Sequence, residues 1–230
     1  MNTFVFAFDF DGTLVDSYSC LPDVYRSIAK ELGLRNDLID KFVKRAISYE
    51  DYFDLIGNYD RKSWWKKLLA EFEIRVDDID DLLRKYWIER AKRTKVFDES
   101  KEILEELKGM GFTIISLCAS DGMQGMKRMR IKMSSLLNYF NEILIVGEDV
   151  KDRSVAIEII KNKYKIKPSD IVVIDDKPGV INEVKSLGVK TVKVDFNGIL
   201  KLAWQGHCDP DYRIKNINEL KDVVKSLLKG

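Results

Sequence analysis

Two carboxylates one residue apart, Asp9 and Asp11, end the apolar run Thr3-Phe4-Val5-Phe6-Ala7-Phe8 and lead directly into Gly12-Thr13. Acids that leave a buried strand together repel each other and lose hydration, so a hard cation held through oxygen is their natural partner. A second pair, Asp175-Asp176, closes Ile171-Val172-Val173-Ile174 and is followed by Lys177-Pro178-Gly179. One isolated Asp-Gly would read as a turn. Two strands that each run into paired acids in one chain are better explained by a shared site. Open α/β sheets place such sites just beyond the carboxyl ends of their strands.

The elements that must position these acids are readable from periodicity. Continuous apolar runs bounded by Gly turns suit parallel strands buried on both faces; besides 3–8 and 171–174, the run Phe112-Thr-Ile-Ile-Ser-Leu-Cys-Ala-Ser120 and the short run Thr191-Val-Lys-Val-Asp195 fit that pattern. Between the first strand and about Thr94 the pattern turns helical. Leu21, Val24, Tyr25, Ile28, Ala29 and Leu32 recur at three- and four-residue steps before Gly33, and amphipathic segments follow at 37–56, 63–72 and 79–91. Asp60 or Ser63 is the expected cap of the third segment and Asp77 or Asp78 of the fourth. The many aromatics of this stretch, Trp64, Trp65 and Trp87 among them, read as a helical core, with one or two expected at a substrate pocket. Arg84, Lys85, Arg90, Lys92, Arg93 and Lys95 read as a solvated helix face, with phosphate steering as the alternative role.

Composition narrows the class of function. In 230 residues, 39 Lys and Arg balance 38 Asp and Glu, so no net field points to nucleic acid or an anionic membrane. Cys20, Cys118 and Cys208 are odd in number and unpatterned in spacing, which suggests a reducing cytoplasm rather than a disulfide framework. The run 3–8 is too short and too acidic at its end for a secretory leader, and no segment approaches the length of a membrane span. The sole histidine, His207, stands beside Cys208 and Asp209, too few ligands for a transition-metal site, and reads as a polar loop.

The string Asp9-Phe10-Asp11-Gly12-Thr13-Leu14-Val15-Asp16-Ser17 resembles the first motif of the haloacid dehalogenase superfamily, in its phosphatase and mutase branches, and Asp175-Asp176 resembles its acidic fourth motif. The resemblance covers nearly the whole chain. It implies a Rossmann-like, doubly wound parallel α/β core formed by residues 1–16 and 95–230, with a helical cap domain inserted at 17–94. It implies Asp9 as nucleophile and Asp11 as general acid/base. It also implies Mg2+ bound by Asp9, the backbone carbonyl of Asp11 and Asp176, with Asp175 an outer-shell or second ligand. Where some members carry a further acid four residues on, this chain has Val180. The family's second motif ends a strand in a phosphate-holding Ser or Thr. The family spacing counted from Gly111 lands on Cys118, a poor donor; Ser116, Cys118 and Ser120 share a strand face by parity, and Ser120, at the strand's end, is the better donor. The family's third motif supplies a lysine to the phosphoryl oxygens; Lys151 stands in its place, with Arg153 as the neighbour able to substitute.

The expected activity is Mg2+-dependent hydrolysis of small-molecule phosphate monoesters through an aspartyl-phosphate. A β-phosphoglucomutase-like mutase uses the same motifs. A catalytically weak member that binds a phospho-ligand or partner is the reading of a different class. Physiological substrate and oligomeric state are not written in these motifs.

Overall fold

The computed structural model describes residues 4–229. The chain opens with β1 (Val5–Phe8) and β2 (Val15–Asp16), then four helices, α1 (Leu21–Glu31), α2 (Asn36–Leu55), α3 (Arg61–Glu71) and α4 (Ile79–Arg93). It returns through β3 (Lys95–Val96), α5 (Asp98–Gly109), β4 (Thr113–Ala119), α6 (Met126–Met133) and β5 (Glu142–Val146). It ends with α7 (Arg153–Tyr164), β6 (Ile171–Asp175), α8 (Pro178–Lys185), β7 (Lys190–Val194), β8 (Tyr212–Ile214) and α9 (Leu220–Leu227). Thr3 lies outside the described residues.

Six strands form one sheet in the order β5-β4-β1-β6-β7-β8, every neighbouring pair parallel. Both faces are covered, as expected for apolar strands without alternation. Phe6, Phe8, Ile114, Val172 and Ile174 pack on one side with Leu104 and Leu107 of α5 and Val223 and Val224 of α9. Val5, Ala7, Ile115 and Val173 pack on the other with Ala156, Ile157 and Ile160 of α7 and Val184 of α8. The fold is therefore the doubly wound, Rossmann-like α/β sheet expected from the strand runs. β1 is central, the chain leaving it for β4 and β5 on one flank and returning to β6 on the other. That reversal opens a crevice beyond the carboxyl ends of β1, β4 and β6.

The helices α1–α4 build a separate apolar core from Tyr25, Phe42, Trp64, Trp65, Leu68, Leu83, Tyr86 and Trp87. Asp60 caps α3 through the Ser63 amide at 3.1 Å, and Asp78 caps α4 through the amides of Asp80 and Asp81. The basic stretch of α4 is split: Arg84, Lys85, Lys92, Arg93 and Lys95 are exposed, but Arg90 is buried, which corrects its reading as part of a solvated face. At helical spacing Arg90 falls on the face of Tyr86, one turn before it, rather than with its basic neighbours.

The helical layer is tied to the sheet domain at several points. Asp54 of α2 pairs with Lys177 at 2.9 Å, and Asp51 accepts from the amides of Lys201, Leu202 and Ala203 at 2.8–3.1 Å. Gly122, at φ +75°, lies directly under the Tyr59 carbonyl, where any Cβ would collide with it. No helix among the described residues is long and apolar enough to cross a membrane.

Candidate active site

Each strand that borders the crevice delivers a polar residue just past its last apolar one. Asp9 follows β1 and is locked to β6 by its amide, which donates to the Ile174 carbonyl at 2.9 Å. Ser120 follows β4, and Asp175 ends β6. Together with Asp11 they line a cavity of about 40 Å³, which the helical layer roofs with Tyr18, Asp54, Tyr59, Arg61, Trp87 and Arg90. That volume holds about three waters, so the site in this arrangement is too small for a phosphate ester.

Gly12, at φ +82°, has a conformational reason to be glycine, and a Cβ there would also strike the Asp176 carboxylate. The first motif and the fourth are thus in van der Waals contact.

Asp9, Asp175 and Asp176 form a crowded acid group. Burial pushes Asp9 well above the usual carboxylate range, and the charges of Asp175 and Asp176 push it further. Burial and then Asp175 raise Asp176 to about 7, against the opposing Lys177 charge. Burial also raises Asp175, with Arg153 opposing it. Trp204 donates its indole N–H to one Asp176 oxygen, and the other, Oδ1, is buried without a partner. Among the described residues no three side chains already stand in a ligating cage. The donor chemistry nonetheless suits magnesium, which uses few carboxylates and retains waters. Acids whose ionisation burial and mutual repulsion oppose, and an orphaned carboxylate oxygen, are what such an ion would satisfy.

Asp11 has the opposite environment. Burial would raise its pKa, but Arg130, Lys127 and Arg90 outweigh burial and hold it well below the usual range. Arg130 grips both of its oxygens, Lys127 binds Oδ2, and the Ser17 hydroxyl donates to Oδ1 at 2.5 Å. Ser17 is itself held by Arg90, whose Nε reaches its carbonyl at 3.1 Å. Arg90 and Arg61 in turn flank the fully buried Glu50, at 2.7 and 2.8 Å. A continuous charged chain therefore runs from the middle of the helical layer to Asp11.

The candidates named from sequence fall as follows. Asp9, Asp11, Ser120 and Asp175 line the cavity, while Asp176 lies behind it, fully buried against Gly12 and Trp204. Of the three residues on one strand face, Ser116 and Cys118 remain buried inside β4 and Ser120 reaches the site, its hydroxyl donating to Glu148 at 2.9 Å. Lys151 is exposed and stands outside the cavity, whereas its neighbour Arg153 is buried and lines it. Asp152 takes the N-cap of α7, binding the Val155 amide at 3.0 Å, so the helix starts with Lys151 turned to solvent. Tyr18, Tyr59 and Trp87 are the aromatics of the helical segment that reach the pocket. His207 is an exposed loop residue.

Sequence reasoning passed over Lys127, Arg130, Lys177 and Trp204. A signal existed for the first two: a three-residue step on one helix puts them on a common face. Trp204 is on an irregular loop whose path no periodicity records.

Comparison with known proteins agrees with the arrangement. The family model described as haloacid dehalogenase-like hydrolase matches residues 6–194. A phosphoglycolate phosphatase of Aquifex aeolicus is 26% identical over 225 residues, 96% of each chain. Among solved structures, a HAD phosphatase from Thermococcus onnurineus superposes with a TM-score of 0.61 at 22% identity, covering 96% of this chain and 97% of the other. A HAD-superfamily hydrolase from Geobacter sulfurreducens superposes with a TM-score of 0.66 at 17% identity, covering 96% of both chains.

Proposed function

From the premise that this chain belongs to the haloacid dehalogenase-like hydrolase family, we propose that it hydrolyses small-molecule phosphate monoesters with Mg2+, through a phosphorylated Asp9. The observation that carries this reading is the meeting of Asp9, Asp11, Ser120 and Asp175 around one small cavity that Arg61, Arg90, Lys127, Arg130, Arg153 and Lys177 also line. The relative named phosphoglycolate phosphatase supports the same chemistry.

Asp9 attacks the phosphorus in line as the bond to the alcohol oxygen breaks, leaving an acyl phosphate and an alkoxide that takes up a proton. Water then attacks phosphorus and frees Asp9, surrendering its proton to a base. Asp11 suits the second step as it stands, ionised and acceptor-only in the grip of Arg130 and Lys127. In the first step Asp11 enters protonated and gives that proton to the alkoxide, and it regains one from the attacking water in the second; the grip of Arg130 and Lys127 favours the ionised half of this cycle. Ser120 holds a phosphoryl oxygen once its hydroxyl, which donates to Glu148 here, turns to the substrate. Mg2+ would be held by Asp9, the Asp11 carbonyl, Asp176 and Asp175, where it supplies the charge that lets these acids ionise together and neutralises phosphoryl oxygens.

The helices α1–α4 act as a cap. A cavity of about 40 Å³ admits no ester from solution, so entry lifts this layer and parts Asp54 from Lys177. Closure afterwards excludes water.

The test is hydrolysis of p-nitrophenyl phosphate with Mg2+ and after chelation. The expected result is turnover with Mg2+ that chelation removes and re-addition restores. Metal-independent turnover would refute the metal assignment. No release of phosphate from this ester, 2-phosphoglycolate or sugar phosphates would refute the hydrolase reading, and isomerised sugar phosphate in place of free phosphate would mark a mutase.

A further inference from the structure

Magnesium demands near-ideal octahedral geometry, so a carboxylate that offers it one oxygen binds best when that oxygen is held in place. Asp176 is fully buried and its two oxygens differ. Trp204 donates its indole N–H to Oδ2, while Oδ1 has no partner. A buried acceptor left alone is costly, and a cation at Oδ1 would remove that cost. An indole N–H donates and never accepts. Trp204 can therefore fix Asp176 but cannot itself bind the ion.

What holds Trp204 lies in the helical layer. It stands on the irregular loop between β7 and β8, whose Leu200 and Ala203 are buried in the apolar core of α1–α4. Asp51 of α2 accepts from the amides of Lys201, Leu202 and Ala203, the three residues before Trp204. The indole stands edge-on to Tyr18, centroids 5.0 Å apart, and packs on Phe196 at 5.2 Å. Gly198 makes room for this packing: a Cβ there would stand 2.6 and 2.7 Å from the Phe196 and Trp204 rings. One loop thus touches the cap through its backbone and apolar side chains, and Asp176 through its indole.

We propose that Trp204 is a positioning residue for the metal ligand Asp176, and that the loop 196–204 is a strap through which cap closure and Mg2+ binding strengthen each other. The proposal rests on the metal assignment made above. With the cap closed, Asp51 and Tyr18 set the indole, and the indole leaves Oδ1 for the ion. When the cap lifts, Asp51 leaves with α2 and the indole loses that support. Linkage makes the effect reciprocal: an ion that prefers the fixed carboxylate also holds the strap to the cap.

The experiment titrates Mg2+ by calorimetry into the parent, Trp204→Phe, Asp51→Ala and Arg45→Ala, and follows amide hydrogen exchange over residues 200–204 by mass spectrometry. Trp204→Phe keeps an aromatic ring and removes the donor; it should bind Mg2+ about 10–100-fold more weakly, as loss of a hydrogen bond to a metal ligand does. Asp51→Ala, which touches no candidate ligand, should weaken binding by about fivefold or more. Arg45→Ala, a surface change on the same helix, should stay within about twofold of the parent. Mg2+ should slow exchange at residues 201–203 in the parent and leave it unchanged in Trp204→Phe. An indole that only packs would lower the melting temperature and leave Mg2+ affinity alone. Unchanged or tighter Mg2+ binding in folded Trp204→Phe, or unchanged binding in Asp51→Ala, overturns the proposal. If Trp204→Phe fails to fold, Asp51→Ala and the exchange of the parent with and without Mg2+ still decide. A parent that binds no Mg2+ would refute the metal assignment itself, an outcome distinct from a parent and variants that bind it equally.

Discussion

Asp9→Asn is expected to abolish ester turnover, by on the order of 10⁴-fold or more, as loss of a covalent nucleophile does. The amide keeps the shape of the carboxylate but cannot form the acyl phosphate. It should also fold at least as well as the parent. Asp9 is half-buried beside Asp175 and Asp176, and desolvation and those charges already push its pKa well up, so removing its charge relieves repulsion rather than breaking a pair. Loss of activity without loss of melting temperature separates a chemical role from a structural one. Turnover by Asp9→Asn within tenfold of the parent would remove Asp9 as nucleophile.

Glu50→Ala should be the most destabilising single change in the helical layer, costing about 3–5 kcal/mol, the range for breaking a buried ion pair by deleting one partner. Glu50 is fully enclosed, and Arg61, Arg90, Tyr25 and Tyr86 all converge on it. Its removal leaves two buried guanidiniums facing each other. Burial would raise the Glu50 pKa, but the two arginines overcome it and hold the carboxyl at about 2 rather than 4.5. A depressed carboxyl stabilises the fold above its unfolded pKa, so this contribution is complete at neutral pH and fades as pH falls from about 4.5 to about 2. Native stabilities of about 5–15 kcal/mol make such a loss a large fraction of the whole. Arg45→Ala is the control: Arg45 also grips a carboxylate, Glu71 at 2.7 Å, but on the surface, where such pairs are worth about 0–1 kcal/mol. Urea unfolding of the two variants checks the contrast. Equal effects would mean that Glu50 is not the keystone of this layer.

The parts of the molecule that were legible in its sequence share a physical basis. Val5–Phe8 and Ile171–Asp175 are strands buried on both faces, so their apolar runs had no alternation to obscure them, and the acids at their ends marked the site. Ser120 followed from being last on its strand. What escaped was set by tertiary placement. Lys151 and Arg153 are two positions apart at one helix start, and which enters the cavity depends on Asp152 taking the cap. Arg90 lay among five basic residues that are exposed, and only the buried Glu50, forty positions earlier, explains why it turned inward. Asp176 gave no hint that Trp204 would cover it, because the loop from Phe196 to Asp211 follows side-chain contacts rather than a repeat.

The chemistry on Asp9 can be observed without any variant. Brief incubation with a ³²P-labelled ester and Mg2+, followed by acid quench and digestion, should leave label on the peptide that carries Asp9, released by hydroxylamine as an acyl phosphate is. Phosphate release at full rate with the label absent there, or found on another residue, would contradict a phosphorylated Asp9.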